Sequence, residues 1–316
     1  MNIGSEKMDE KIVLDLNSIA IECGLLENIE SEILIKNIEN LETKYTNDNL
    51  ILIYNYFLTV TKNTDILIHL IRCADKHRDK SSLSIILDLL LNLENPVNLR
   101  VMCAKAIANL KDTSAVTALL YCLNNKDEHY KVRLVCADSL GRIGDKYAVA
   151  PLIDVVQDED EKSVYVRESA AIALGMLGDI RAINPLVSIL EGKKGFLDKF
   201  TFLKERVIEA LSKMKVQNPR VIKAFEHALT DESSCIRINA IEALMDSDDD
   251  RAYGLIKGML ADLDDEVKKN ALIALYNMTG RDILNEVIES KEYCDFVKTE
   301  AVKLIDEYEE EDDENE

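Results

Sequence analysis

Tryptophan is absent from this chain of 316 residues, and Tyr and Phe together supply only 5% of it. Apolar residues still make up 47%, so a large core has to come from Leu, Ile, Val and Ala, a composition that suits stacked helices. A basic excess is also missing: 38 Lys and Arg face 59 Asp and Glu, for a formal net charge of −21. Nucleic acid and anionic membrane are gripped by Lys and Arg that neutralise phosphate, so neither is an expected partner. Electrostatics favours a basic protein or peptide, although the same negative charge also serves plain solubility. The seven cysteines show no Cys-x-x-Cys spacing, which leaves no zinc or disulfide framework and suits a reducing compartment. No apolar run is long enough to span a bilayer; the most apolar stretch, Leu50–Val60, is short and holds Asn55. Met1 to Lys11 is polar and mixed in charge, unlike a signal peptide, so the expected location is the cytoplasm.

What is present is a sentence written twice. Val132-Arg133-Leu-Val-Cys-Ala-Asp-Ser-Leu140-Gly141-Arg-Ile-Gly144-Asp145 recurs as Val166-Arg167-Glu-Ser-Ala-Ala-Ile-Ala-Leu174-Gly175-Met-Leu-Gly178-Asp179, 34 residues later. A basic residue opening the motif falls at Arg100, Arg133, Arg167, Lys204, Arg237, Lys268 and Lys298, at intervals of 33, 34, 37, 33, 31 and 30 residues. Three residues on sit Cys103, Cys136, Ala170, Val207, Ala240, Ala271 and Ala301; seven on sit Ile107, Leu140, Leu174, Leu211, Leu244, Leu275 and Ile305. Three, four and seven residues along is one face of an α-helix. The small residues let a neighbouring helix approach and the large ones fill the gap between layers.

Twelve residues after the anchor come Asp112, Asp145, Asp179 and Asp249, placed to accept hydrogen bonds from the free N–H groups that open a second helix. Gly144 and Gly178 suit the tight turn before it. Pro151 and Pro185, each 18 residues after its anchor, put the start of that second helix shortly before them. Each repeat reads helix, short turn, helix, and a period near 34 residues predicts stacked pairs rather than one closed core.

Val132–Asp145 with Pro151-Leu152-Ile153, and Val166–Asp179 with Pro185-Leu186-Val187, resemble the HEAT-repeat superfamily, specifically the HEAT-like repeats of the phycobilisome-lyase type. The resemblance covers roughly residues 96–305, about seven repeats with the last one partial. It implies an all-α fold, an α-solenoid of stacked antiparallel helix pairs wound into a HEAT-like superhelix. Residues 1–95 read as an N-terminal helical cap or degenerate repeats, with helices near 11–22, 29–42, 48–61, 64–77 and 81–93 and the first ten residues frayed. Asn95-Pro96 marks the junction. Residues 306–316, nine of them acidic, read as a disordered tail.

Little enzymatic chemistry is legible. The HEAT-repeat deoxyhypusine hydroxylases carry paired His-Glu iron motifs at repeat helix starts. The matching positions here are Leu134-Val135, Glu168-Ser169, Ile238-Asn239 and Lys269-Asn270, none with a His. The four His residues, His69, His77, His129 and His227, share no repeat register, so no metal and no cofactor is expected. The HEAT-like DNA glycosylases need a basic, aromatic groove, from which this chain departs. Gly192-Lys193-Lys194-Gly195 lacks the spacing of a phosphate loop. Asp158–Glu161 and Asp246–Asp250 lack the spacing of a calcium loop and read as solvated turns. Cys103 and Cys136 occupy a position held elsewhere by Ala, and read as small buried hydrophobes.

Two sets of residues remain. Arg100, Asp112, Arg133, Asp145, Arg167, Asp179, Arg237 and Asp249 read as a structural ladder, with Arg133 pairing to Asp112 or Asp145 and Arg167 to Asp145 or Asp179. On the first helix of each repeat, the fifth and ninth residues after the anchor form a row that lines the concave surface in the related arrays. It contains Lys105, Asp138, Arg142, Ile172, Met176, Glu209, Glu242 and Ile273. Ile172 and Met176 lie one turn apart with Asp138 and Glu209 beside them, an apolar centre with a charged rim. The insertion around Glu191–Phe202 holds three of the six Phe residues, with Phe196 a candidate exposed contact. The first functional reading is a non-enzymatic scaffold or adaptor that binds another protein or peptide on this row. The alternative is an accessory phycobilin lyase-like or other enzyme subunit on the same fold.

Overall fold

The computed structural model describes residues 15–314, apart from 26, 28, 79, 192–200, 216 and 217, and side chains only as far as residue 307. Among the described residues all regular structure is helical. The α-helices are α1 (Leu16–Glu22), α2 (Ser31–Glu39), α3 (Asn47–Val60), α4 (Thr64–His77), α5 (Leu83–Leu91), α6 (Val97–Leu110), α7 (Val116–Asn124), α8 (Tyr130–Ile143), α9 (Val149–Gln157), α10 (Val164–Leu177), α11 (Ile183–Leu190), α12 (Thr201–Lys213), α13 (Pro219–Ala228), α14 (Ser234–Met245), α15 (Ala252–Gly258), α16 (Asp265–Thr279), α17 (Asp282–Glu289) and α18 (Asp295–Glu314). Contacts divide the chain into two compact units, one ending at Ala118 and the other beginning at Leu119, inside α7.

In the first unit α3 packs on α4, α5 on α6, and α4 on α6. In the second, first helices touch the second helix of the layer before and the first helices on either side: α10 lies against α8, α9 and α12, α12 against α10, α11 and α14, and α14 against α12, α13 and α16 as well as its own second helix α15. The chain is an α-solenoid of stacked helix pairs.

Local sequence explains each layer. The inward positions of α8 and α10, Cys136, Ala137 and Leu140, then Ala170, Ala171 and Leu174, are wholly buried. Gly144 and Gly178 end these helices in the left-handed conformation, with φ of +85° and +60°, which costs a side-chain-bearing residue about 1–2 kcal/mol. The aspartate that follows opens a one-turn 3₁₀ segment leading into the second helix. Asp112 accepts from Ser114 N at 3.0 Å, Asp145 from Tyr147 N at 2.9 Å and Asp179 from Arg181 N at 3.0 Å. Asp249 accepts from Arg251 N at 3.0 Å. The second helices then bury Leu152, Val155 and Val156, or Leu186, Val187 and Ile189.

Two glycines set how closely first helices approach. A Cβ on Gly141 would stand 2.7 Å from Ala173 Cα, and one on Gly175 would stand 2.7 Å from Ala210 Cα. Helix α10 is therefore clasped backbone to backbone on both sides.

The five expected N-terminal helices correspond to α1 to α5, with boundaries shifted by a few residues; residues 1–10 lie outside the described residues. At the acidic C-terminal stretch α18 continues through Glu314. Glutamate is a good helix former, and a docked helix extends without the cost of a new nucleus, so the run continues despite its repulsion.

Candidate functional site

The basic residue that opens the repeat is buried in four copies, with Arg100 3% exposed, Arg133 4%, Arg167 1% and Lys204 9%, and half-buried at Arg237, Lys268 and Lys298. Its first task is the same in three repeats. Arg100 Nε donates to Leu90 O at 2.8 Å, Arg133 Nε to Leu123 O at 2.8 Å, and Arg167 Nε to Val156 O at 3.0 Å. Each acceptor is the next-to-last residue of the preceding helix, whose final carbonyls have no intrahelical donor. A cation there also complements the negative end of the helix dipole.

The outer nitrogens then reach forward to a carboxylate in the turn that ends the same repeat. Arg133 Nη1 and Nη2 clasp Glu161 at 3.0 and 2.7 Å. Lys204 Nζ meets Asp231 at 2.8 Å, and Arg237 Nε and Nη2 clasp Asp262, both at 2.9 Å. Among the described residues Arg167 makes no such second contact, and its buried Nη2 has no hydrogen-bond partner.

The expected pairing of anchors with the aspartates twelve residues on is therefore corrected. Twelve residues of helix span about 18 Å, so each anchor and its aspartate stand at opposite ends of one helix. Two of the aspartates reach a lysine of the preceding repeat, Asp112 meeting Lys80 at 3.0 Å and Asp179 meeting Lys146 at 4.0 Å, while Asp179 and Asp249 bind the arginine two residues on at 2.9 and 2.8 Å. Glu161, expected in a solvated turn, is buried beneath Arg133.

On the outward face, Lys105 lies exposed on α6 in the first unit, and the other row residues lie on α8, α10, α12, α14 and α16 in the second. Met176 is 43% exposed, and its Sδ lies 3.2 Å from where a Cβ on Gly141 would stand, so it leans over α8. Ile172 and Ile273 are half-buried and Glu242 is exposed. The charges beside Ile172 and Met176 are answered on their own helices. Asp138 faces Arg142 at 3.9 Å, while Glu209 takes Arg206 and Lys213, both at 2.6 Å. Burial works to raise the Glu209 carboxyl, but those two bonds outweigh it and hold it below its ordinary value. The patch is an apolar centre inside a charge-balanced rim, and not an acidic surface.

The family model for HEAT repeats matches residues 123–199 and 198–276. These residues are HEAT repeats. Among solved structures, the chain is similar to the CpcE–CpcF complex of phycocyanin lyase from Nostoc sp., at 24% identity over 72% of this chain and 87% of that one, with a TM-score of 0.45. It is similar to YibA of Escherichia coli at 18% identity over 88% and 98%, with a TM-score of 0.50. A mutant of Kap121p gives 13% over 90% and 36%, with a TM-score of 0.52. No curated protein matches the chain in sequence. At these identities the likenesses to YibA and the Kap121p mutant, with TM-scores of 0.50 and 0.52, show the helical fold alone.

Within the HEAT repeats Cys136 is buried, as are Cys122, Cys103, Cys73 and Cys23 before them, and all are free thiols. Burial pushes the Cys103 thiol up to about 12 and that of Cys73 to about 11, so both stay protonated and pack as hydrophobes. Among the described residues no group of three or more His, Cys, Asp or Glu is placed to hold a metal ion, and no helix is long and apolar enough to cross a membrane. Phe196 lies outside the described residues, whereas Phe202 is 67% exposed at the start of α12. One residue of this face was not singled out from sequence. Glu168 stands one turn before Ile172, half-buried, with burial raising its carboxyl against the pull of Arg206. Its signal was its place one residue after the anchor, a position weighed only for iron.

The cap aspartates make a pH prediction. A bidentate bond from Arg181 holds the Asp179 carboxyl at about 2, and bonds from Ser114 hold that of Asp112 at about 2, against an ordinary 3.8. Folded values below unfolded ones stabilise the fold above about pH 3.8, and that contribution is lost as the pH falls toward about 2. Asp179→Asn keeps a capping oxygen and removes the titration. Thermal melts between pH 2 and 5 should show a shallower acid limb for Asp179→Asn than for the wild type; identical slopes would assign the linkage elsewhere.

Proposed function

We propose that this HEAT-repeat chain is a non-enzymatic scaffold that binds a protein or peptide on the outward row of its first helices, centred on Ile172 and Met176. The observation that carries the reading is an exposed, flexible Met176 beside a half-buried Ile172, on a helix clasped rigidly between its neighbours. A thioether over a firm backbone adapts to an apolar side chain of a partner, and a surrounding rim of matched charges limits access by water. Residues 1–95 act in this reading as the cap that covers the exposed end layer. The cytoplasm is the compartment we assign, supported by free thiols of the kind a reducing environment maintains.

The test is affinity capture with mass spectrometry. Ile172→Asp with Met176→Asp should remove the partner that the wild type captures while far-UV circular dichroism stays unchanged. Asp138→Lys with Glu209→Lys should weaken capture by only about 0–1 kcal/mol, because both carboxylates already have partners on their own helices. A captured partner indifferent to the first pair would show that the docking surface lies elsewhere.

A further inference from the structure

Between α12–α13 and α14–α15 lies a groove with a cavity of about 610 Å³. It opens where the close packing of the earlier layers stops. The register occupied by Gly141 and Gly175 holds Ser212 here, and Ser212 and Ala243 both line the groove. The floor is apolar, built from Leu211, Ile222, Phe225 and Ala243. The rim carries Asp246, Asp248 and Asp250, all exposed. Arg251 is committed to Asp249 at 2.8 and 3.0 Å, and among the described residues none of the three rim aspartates makes an ion pair. Lys215, exposed, stands on the same lining, so three unpaired rim carboxylates outnumber one cation around the apolar floor.

We propose that this groove takes a basic partner peptide, with one Leu- or Phe-sized side chain on the floor and neighbouring Lys or Arg on the three aspartates. The volume falls in the range of pockets that enclose a compact apolar group. The rim supplies charge complementarity to a cationic segment and repels nucleic acid and other anions. A metal ion is not the occupant, since the aspartates form no group able to hold one. The site needs no contact with Ile172 or Met176, so it goes beyond the scaffold surface above.

The probe is a fluorescein-labelled peptide, Arg-Lys-Leu-Phe-Arg-Lys, titrated with the full chain and followed by anisotropy at about 0.1 M salt, where surface charges still act over roughly 10 Å. Binding is expected. It should disappear when the basic residues become Glu, and weaken roughly tenfold when Leu and Phe become Ser. Asp246→Asn with Asp248→Asn and Asp250→Asn should also weaken it roughly tenfold. Ser212→Phe, which fills the groove, should block it without touching the charge, and Ile172→Asp should leave it unchanged, which separates this site from the scaffold surface. Equal binding of the Ser-substituted peptide, or full binding to the triple Asn variant, overturns the proposal, as does no binding at all.

Discussion

Gly175→Ala should destabilise the second unit by about 1–3 kcal/mol, although it replaces a helical glycine by the best helix former. At an open helical site the same exchange stabilises by about 1 kcal/mol. Packing decides the sign here. The new methyl would stand 2.7 Å from Ala210 Cα, 2.9 Å from Ala210 Cβ and 3.2 Å from Ala210 O, and two of those three atoms are backbone, which no rotamer change moves. Helix α12 has to retreat, and the layers lose contact along their whole length. Gly254→Ala on α15 is the control: a Cβ there meets nothing within 4 Å, so that variant should be neutral or slightly more stable. Because a stacked array is held by nearest-neighbour interfaces, Gly175→Ala should also broaden or split the urea transition followed by circular dichroism. Equal stability of Gly175→Ala and Gly254→Ala would mean that the α10–α12 spacing is not set by the glycine.

Much of the layer was legible because repetition is redundant. A position that is small in six of seven copies reports a close contact even when one copy alone would not, and Gly144 and Gly178 with their aspartates mark two helix ends by known backbone chemistry. Two things were not legible. The partners of the anchors were misassigned because register along the sequence was read as adjacency in space, ignoring that helices about 21 Å long keep their ends apart. The expected charged rim of the Ile172 face is paired within itself, which the row alone does not tell; Arg142, Arg206 and Lys213 stand three or four residues from Asp138 and Glu209 on the same helices, where such pairs form. The groove beneath Asp246–Asp250 left no motif at all, since it arises from where two layers part.

Glu161→Ala should cost about 3–5 kcal/mol, the loss that follows when one partner of a buried ion pair is removed and the other stays charged. Glu161 and Arg133 expose 2% and 5% of their side chains. The carboxylate also accepts Ser163 N at 3.0 Å at the start of α10, so the variant unpairs the guanidinium and a helix-opening amide together. Arg133→Met with Glu161→Leu separates these terms. With both charges gone, the remaining loss should be about 1–3 kcal/mol, from the carbonyl of Leu123 and the amide of Ser163 left unpaired. Arg167 supplies the contrast inside the same molecule. Among the described residues it meets no forward carboxylate, so Arg167→Met gives up its bond to Val156 O and the more distant pull of Asp158, Glu161 and Glu159, and should cost about 1–2 kcal/mol. Arg167→Ala, which leaves a cavity as well, should cost more, yet should leave partner capture intact. If Arg167→Met proves as damaging as Glu161→Ala, the guanidinium of Arg167 has a strong partner, and the row of anchors acts as a uniform lock along the stack rather than one with a weak link at α10.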